Sequence, residues 1–276
     1  MSKNNLSPTV SIIIVHYNVK KELFACLNSI YASKPHTSFE IIVVDNDEKK
    51  NIKKDLLKQF PEVIYLENNN TGWGGGINAG IPAARGEYLY LLNPDTEVEM
   101  KTIDLVVQFA REHQDSGIVA SLLTDQNHNP YVLQGSQELT PGKAIIVYSF
   151  LDELFPNNRV SSRFFYKDSN RSIPFQVEIA TLTAALIRTK LFKKVGMFDE
   201  KYFLYFEEYD LGRRVNKLGL KNYILSDSRV MHIWGASTKK TSQPSQYLLK
   251  SRDYYFRKHF GSLSAFLVRT FLAIHR

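Results

Sequence analysis

One alternation constrains this chain more than any other feature. Short runs of β-branched and aliphatic residues stand at 9–16 (TVSIIIVH), 39–45 (FEIIVVD), 63–67 (VIYLE) and 87–92 (EYLYLL). The segments between them have a different period. Leu23, Phe24, Leu27 and Ile30 recur at helical steps, with Asn18 in the capping position and Pro35 beyond the end. Residues 51–60 read as a second helix, and a glycine-rich turn, NNNTGWGGG at 68–76, leads into a short helix, INAGIPAA. The order β-α-β-α-β-loop-α-β predicts parallel strands covered by helices on both faces. Ligands of such sheets sit outside the carboxyl ends of the strands. The polar residues that follow the strands are therefore candidates: Tyr17 and Asn18, Asp45 to Asp47, Asn70, and Asn93 to Asp95.

The second half is less regular. A helix near 100–113, a strand near 117–122 and a strand pattern over 177–188 flank residues 124–175, which read as irregular loops. Lys190 to Val195 suggests a helical turn closed by Gly196, and 206–219 a helix terminated by Gly219. Residues 222–234 hold two short strands. From about 245, apolar residues from Tyr247 to Ile274 recur mostly at three- and four-residue steps, with Gly261 dividing two helices.

Composition removes whole classes. An apolar fraction of 43% supports a packed core. No apolar run approaches the ~18 residues that cross a bilayer. The opening MSKNNLSPTV holds no signal-peptide core, so a cytoplasmic setting is expected. The single cysteine, Cys26, excludes an internal disulfide and a multi-cysteine metal cluster. Of 35 basic and 28 acidic residues, eight basic and one acid (Asp253) fall from Lys239 onward, which leaves 27 of each before it. The net +7 therefore belongs to the tail. A nucleic-acid binder would spread basic groups over a groove, so no nucleic-acid partner is expected. A basic tail rich in Tyr, Phe and Leu suits an anionic membrane surface. In the other reading its apolar face packs on the rest of the chain or on a second subunit, as in a homodimer.

Each polar cluster admits two readings. Asp45 to Asp47 could accept hydrogen bonds from a base or ribose, or cap a helix. The glycine run could let backbone approach a diphosphate, or be a plain loop. It is not a P-loop, since no Gly-Lys-Ser/Thr follows, and the first strand-to-helix turn, HYNVKK, has no glycine for a dinucleotide fingerprint. Asn93-Pro94-Asp95-Thr96 could face a hard divalent cation bound to substrate phosphates, or form a simple turn. Glu207, Glu208 and Asp210 open a helix after an aromatic run, where acids favour the dipole. A carboxylate beside apolar rings can instead have its pKa raised and act as a base. At helical spacing Glu207, Asp210 and Arg214 share a face and Glu208 projects elsewhere. His232 could be a core histidine or a metal ligand.

Six segments in register, SIIIVHYN, EIIVVDND, NNTGWGGGINAGI, ARGEYLYLLNPDTEV, VGMFDEKYFLYFEEYDLGRRVNKLG and SRVMHIWGAS, together resemble the family 2 glycosyltransferases. More narrowly they resemble the bacterial subgroup with an Asn-Pro-Asp-Thr motif, which includes rhamnosyltransferases of surface-polysaccharide assembly. The resemblance covers about 10–240. It implies the α/β GT-A fold, a mostly parallel nucleotide-binding sheet flanked by helices, here with a C-terminal helical tail. A catalytic domain would span 1–240, its nucleotide-sugar half 8–98 and its acceptor half 99–240, followed by a basic amphipathic tail at 241–276.

The activity implied is inverting transfer from a nucleoside-diphosphate sugar, thymidine-diphosphate rhamnose or a uridine-diphosphate hexose, with Mn2+ or Mg2+. The acceptor implied is a polysaccharide or lipid-linked saccharide. By the same resemblance Tyr17 and Asn18 contact the nucleotide, Asp45 meets the base, and Asp47 lies close by. Asn70 and Asn78 flank the nucleotide loop that holds Gly74. Asp95 is the last acid of the metal motif, His232 completes the metal site, and Arg214 supports it. Glu208 is the general base and Glu207 its neighbour. Three departures stand out: Asn93 replaces an acid, Glu208 is one methylene longer than the usual Asp, and His16 stands where Thr or Ser is commoner. A nucleotidyltransferase and a decayed sugar-nucleotide-binding module are the rival readings.

Overall fold

β1 (Val10–His16) is buried along its whole length, and its side chains divide by parity. Val10, Ile12 and Ile14 join one apolar cluster; Ile13 and Val15 join another on the opposite face. A strand with two dry faces must lie inside a sheet covered on both sides. The computed structural model, which describes residues 7–49, 51–149, 154–155, 158–233 and 244–273, has that architecture.

After β1 come α1 (Lys20–Ala32), β2 (Phe39–Asp45), α2 (Lys53–Gln59), β3 (Ile64–Glu67), α3 (Gly72–Gly80), β4 (Tyr88–Leu92) and β5 (Thr96–Val98). The chain continues through α4 (Thr102–Glu112), β6 (Ser116–Thr124), β7 (Gly135–Ser136), α5 (Pro141–Val147), α6 (Arg159–Phe164), β8 (Phe175–Val177) and β9 (Ile179–Ala180). β10 (Ala184–Arg188), α7 (Thr189–Lys194), α8 (Glu207–Asn216), β11 (Lys221–His232) and α9 (Pro244–Ala273) complete it. The main sheet runs β3-β2-β1-β4-β10-β6-β11-β5, with β8 beside β11. β3, β2, β1 and β4 are parallel, as the alternation requires, and β10 enters antiparallel between β4 and β6. α1 and α4 cover one face; α3, α7 and α8 cover the other.

Several local expectations are corrected. The glycines at 72–76 are not a turn but the first turns of α3. Glycine weakens a helix, yet it lets α3 lie close on the sheet: a Cβ on Gly76 would stand 2.8 Å from Val15 Cγ1. Asn18 does not cap α1. It takes φ 54°, Val19 occupies the cap position, and the Val19 N–H donates to His16 Nε2. Residues 222–234 hold one strand rather than two, because the Ser-Asp-Ser segment bulges between Leu225 and Arg229 without ending β11. Trp234 lies outside the described residues, as does the expected boundary at 240. Residues 124–175 contain β7, α5, α6 and the start of β8. Gly196, Gly219 and Gly261 all take positive φ, and Gly261 breaks α9 into two helical segments.

The tail packs on the rest of the chain. Tyr255, Phe256, Ala265, Val268 and Leu272 are buried with Leu139, Ala144, Phe164, Tyr202 and Phe206. No helix among the described residues is long and apolar enough to cross a membrane.

Gly72 and Gly219 separate two costs. Both have left-handed φ, 82° and 75°, but a Cβ on Gly72 would meet Phe203 O at 2.0 Å while one on Gly219 meets nothing within 4 Å. Gly219→Ala should cost about 1–2 kcal/mol, the strain of an L residue there. Gly72→Ala adds the clash and should cost about 2–4 kcal/mol. Urea midpoints at unchanged slope measure both.

Candidate active site

A cleft of about 520 Å³ opens beyond the carboxyl ends of β1, β2 and β4. Its floor follows from a turn. After β4, the Asn93 N–H donates to Thr183 O at 2.9 Å, and Asn93 O accepts from Thr96 Oγ1 at 2.7 Å. The chain then enters β5, which pairs antiparallel with the end of β11, His232 opposite Thr96. The Ile233 N–H donates to Asp95 O at 2.9 Å. Asp95 Oδ1 and His232 Nε2 are thereby brought to 3.4 Å, both side chains less than a tenth exposed. Asn93 Oδ1 and Asp95 Oδ1 are buried acceptors with no hydrogen bond among the described residues.

The opposite wall is the start of α8. Tyr205 and Phe206 both take left-handed φ, 70° and 71°, a strained state for bulky residues. The turn delivers Glu207 and Glu208 together to the cleft. Burial raises the pKa of both carboxyls, and the Glu208 charge pushes Glu207 further up, well above the usual range. Glu207 Oε1 accepts no hydrogen bond among the described residues. Gly74 braces this wall: a Cβ there would lie 3.5 Å from Glu207 Cγ and 3.1 Å from Phe198 Cβ.

One turn further, Asp210 faces the tail. It accepts from Lys258 Nζ at 2.7 Å, His259 Nε2 at 2.8 Å and Arg214 Nε at 2.9 Å. Burial opposes its ionisation, but His259, Arg214 and Lys258 outweigh that and hold its carboxyl well below the usual range. α8 is thus clamped to α9. From α9, Tyr247 also reaches the cleft, stacked on Phe203 at 4.4 Å.

Tyr17, Asn70, Asn93, Asp95, Glu207, Glu208 and His232 line the cleft; the other expected residues do not. Asn18 is exposed at the helix start. Asp45 is buried behind the cleft, accepting from His16 at 2.9 Å, Tyr65 OH at 2.6 Å and the Asp47 N–H at 3.0 Å. Burial would raise its pKa, but those bonds win and lower it. Asp47 accepts from the Lys49 N–H. Gly74 serves packing. Asn78 exchanges hydrogen bonds with the Phe198 backbone and donates to Glu200. Arg214 holds Asp210 and donates to Val195 O. Asn46 and Trp73 fell inside candidate segments without a role of their own, and sequence reasoning missed Glu48, Phe203, Tyr205 and Tyr247; all six line the cleft. Asn46 fixes the entry of α3 by donating to Gly72 O at 2.8 Å. Cys26 is buried, which pushes its thiol pKa up to about 12 and leaves it inert packing.

The sequence profile of glycosyl transferase family 2 matches residues 11–196. Along most of its length the chain is similar to an uncharacterized glycosyltransferase of Rickettsia typhi, at 25% identity over 276 residues, covering 93% of this chain and 80% of that protein. It is also similar to the N-acetylglucosaminyl-diphospho-decaprenol L-rhamnosyltransferase of Mycobacterium tuberculosis H37Rv, at 23% identity over 260 residues, covering 88% and 81%. Among solved structures it resembles GalNAc-T7 crystallised with UDP, GalNAc and Mn2+, with a TM-score of 0.63 and 16% identity over 92% of this chain and half of that one. It resembles residues 1–349 of S. aureus TarS with UDP-GlcNAc, at a TM-score of 0.57 and 17% identity over 96% of this chain and 71% of that one. These likenesses establish the GT-A fold. The chain belongs to glycosyl transferase family 2 and is a glycosyltransferase. The matched region ends before α8, so the Glu207–Glu208 wall is read from this chain's own geometry.

The buried glutamates make a pH prediction. A carboxyl whose folded pKa is raised binds its proton more tightly when folded, so stability is full below the ordinary range near 4.5 and falls as pH rises toward the raised value. Glu207→Gln removes that loss. The variant should melt with wild type near roughly pH 4 and above it near about pH 8, by about 2–4 °C per kcal/mol recovered. Calorimetry across that range decides; an equal gain at both ends would mean that charge is not the cause.

Proposed function

We propose that this glycosyltransferase moves a sugar from a nucleoside-diphosphate donor to a hydroxyl of a saccharide or lipid-linked saccharide, with inversion at the anomeric carbon. The reading rests chiefly on one observation: Asn93, Asp95, His232 and the Glu207–Glu208 pair, from separate segments, meet in one cleft. Thymidine-diphosphate rhamnose is favoured as donor by the similarity to the mycobacterial rhamnosyltransferase, and a uridine-diphosphate hexose by the UDP-bound structural relatives.

The donor set fits a hard divalent cation that also needs substrate oxygens. Among the described residues no cluster of three or more His, Cys, Asp or Glu side chains forms a complete cage. What is present is one carboxylate, one imidazole and one amide oxygen, two of whose buried acceptor atoms lack a hydrogen bond. Mn2+ or Mg2+, when bound by Asp95 and His232 with Asn93 assisting, supplies the positive charge that a departing diphosphate requires. Tyr17 and Asn70 flank the nucleotide, and Gly72 and Trp73 bring the N-terminal end of α3 to the same cleft, where its dipole favours an anion.

The two glutamates divide the proton work. Glu207, whose carboxyl is pushed up furthest, gives up its proton less readily than Glu208. Glu208 takes the proton of the acceptor hydroxyl as that oxygen bonds the anomeric carbon and the bond to the diphosphate breaks. The leaving nucleoside diphosphate carries away the electron pair, and no covalent enzyme intermediate forms.

The variants should separate the roles. Asp95→Ala should weaken Mn2+-dependent donor binding, read by calorimetric titration. Glu208→Gln should leave binding intact and slow transfer by roughly 10²–10⁴-fold. Normal turnover in Glu208→Gln would overturn the base assignment. Consumption of a nucleoside triphosphate with pyrophosphate release would overturn the transferase reading in favour of a nucleotidyltransferase.

A further inference from the structure

Beyond Gly261 the tail helix is apolar on two opposite faces. Ala265, Val268 and Leu272 point inward and are buried. On the other side Leu263 is 72% exposed, Phe266 53%, Leu267 42% and Phe271 44%. Their spacing places these four on a single stripe, interrupted only by Thr270. A helix that packs one face on its own domain should turn polar residues to water with the other. Two phenylalanines and two leucines on one exposed stripe mark a surface that something covers.

Charge selects the occupant. Arg269 lies beside Phe266, its guanidinium 5.8 Å from the ring, and its side chain is 55% exposed. Arg257, equally exposed, meets Arg269 at the shared carboxylate of Asp253, the sole acid between 244 and 273. The stripe is thus bordered by two cations and one anion. A second copy docked by twofold symmetry would bring the same excess of positive charge from both sides. An anionic bilayer answers both features, taking the apolar stripe at the acyl boundary and the arginines at the headgroups.

We propose that Leu263, Phe266, Leu267 and Phe271 seat in the surface of an anionic membrane, with Arg257 and Arg269 at its phosphates. The proposal does not depend on the catalytic assignment. The full chain is sedimented with vesicles of phosphatidylcholine alone or mixed with phosphatidylglycerol. Wild type should pellet with the mixed vesicles and much less with the neutral ones. Replacing the four stripe residues by serine should abolish pelleting while the protein stays folded and unfolds cooperatively by circular dichroism, since none is buried in the core or lines the cleft. Arg257→Gln with Arg269→Gln should weaken binding by about tenfold or more. Equal pelleting by the serine variant, or indifference to lipid charge, overturns the proposal. So does a dimer in sedimentation equilibrium that the serine variant dissolves, because the stripe then belongs to a second copy.

Discussion

The short ladder between β5 and the end of β11 is the contact on which the site depends. It has three residue pairs, Val98 with Val230, Glu97 with Met231 and Thr96 with His232. Through it a histidine near the end of the sheet meets an aspartate that follows β4. The bulge in β11 sets which face that histidine takes. Leu225 and Val230 are an odd number of residues apart yet pack in the same apolar cluster, so the Ser226–Ser228 segment inverts the parity of the strand. A regular strand would send His232 to the other side of the sheet, as a one-residue slip does.

The second wall is held by charge rather than by a ladder. The buried Asp210 is held by His259 and by the part-exposed Lys258 and Arg214. A buried ion pair gains little over a well-packed apolar pair, but losing one partner strands the other and costs about 3–5 kcal/mol. The network therefore fixes the relation of α8 to α9, since parting them would strand the Asp210 charge. That relation places Glu207 and Glu208, and it brings Tyr247 to the cleft. Phe206, whose backbone is strained, packs against Tyr209 and Tyr255. The first half of α9 is accordingly part of the cleft wall. Lys258 is consumed there, while Arg257 and Arg269 remain at the surface.

Much of the fold was legible because burial leaves a period in sequence. The β-branched runs became β1, β2, β3 and β4 within a residue or two, and Gly196, Gly219 and Gly261 stand, with left-handed backbone, where helices were expected to end or divide. The glycines of α3 misled because close packing overrode helix propensity. At the end of β2 the acids were chosen by type, but faces alternate: Asp45 and Asp47 turn from the cleft, and Asn46 and Glu48 turn toward it. No local signal told which polar groups were already satisfied. Asp45 is claimed by His16 across the β1–β2 register, and Asn78 by a backbone segment more than a hundred residues later. Tyr247 was read from its helical spacing, which says nothing of the ring it stacks on.

The cleft that results is unusual in its chemistry. Asp95, Glu207 and Glu208 line it with Glu48 nearby, and buried oxygens of Asn93, Asp95 and Glu207 accept no hydrogen bond among the described residues. Unpaired buried acceptors cost free energy, and folded chains keep them chiefly at functional sites. The elements around them leave little room for relief: α3 stands against Glu207 through Gly74, and β11 stands against Asp95 through Ile233. A surplus of acceptors defines its own ligand. Whatever settles there must bring donors or positive charge, as sugar hydroxyls and a divalent cation do. A diphosphate arriving alone would meet mostly like charge on this wall, so donor binding and cation binding are expected to be coupled, each raising the affinity for the other by the same factor.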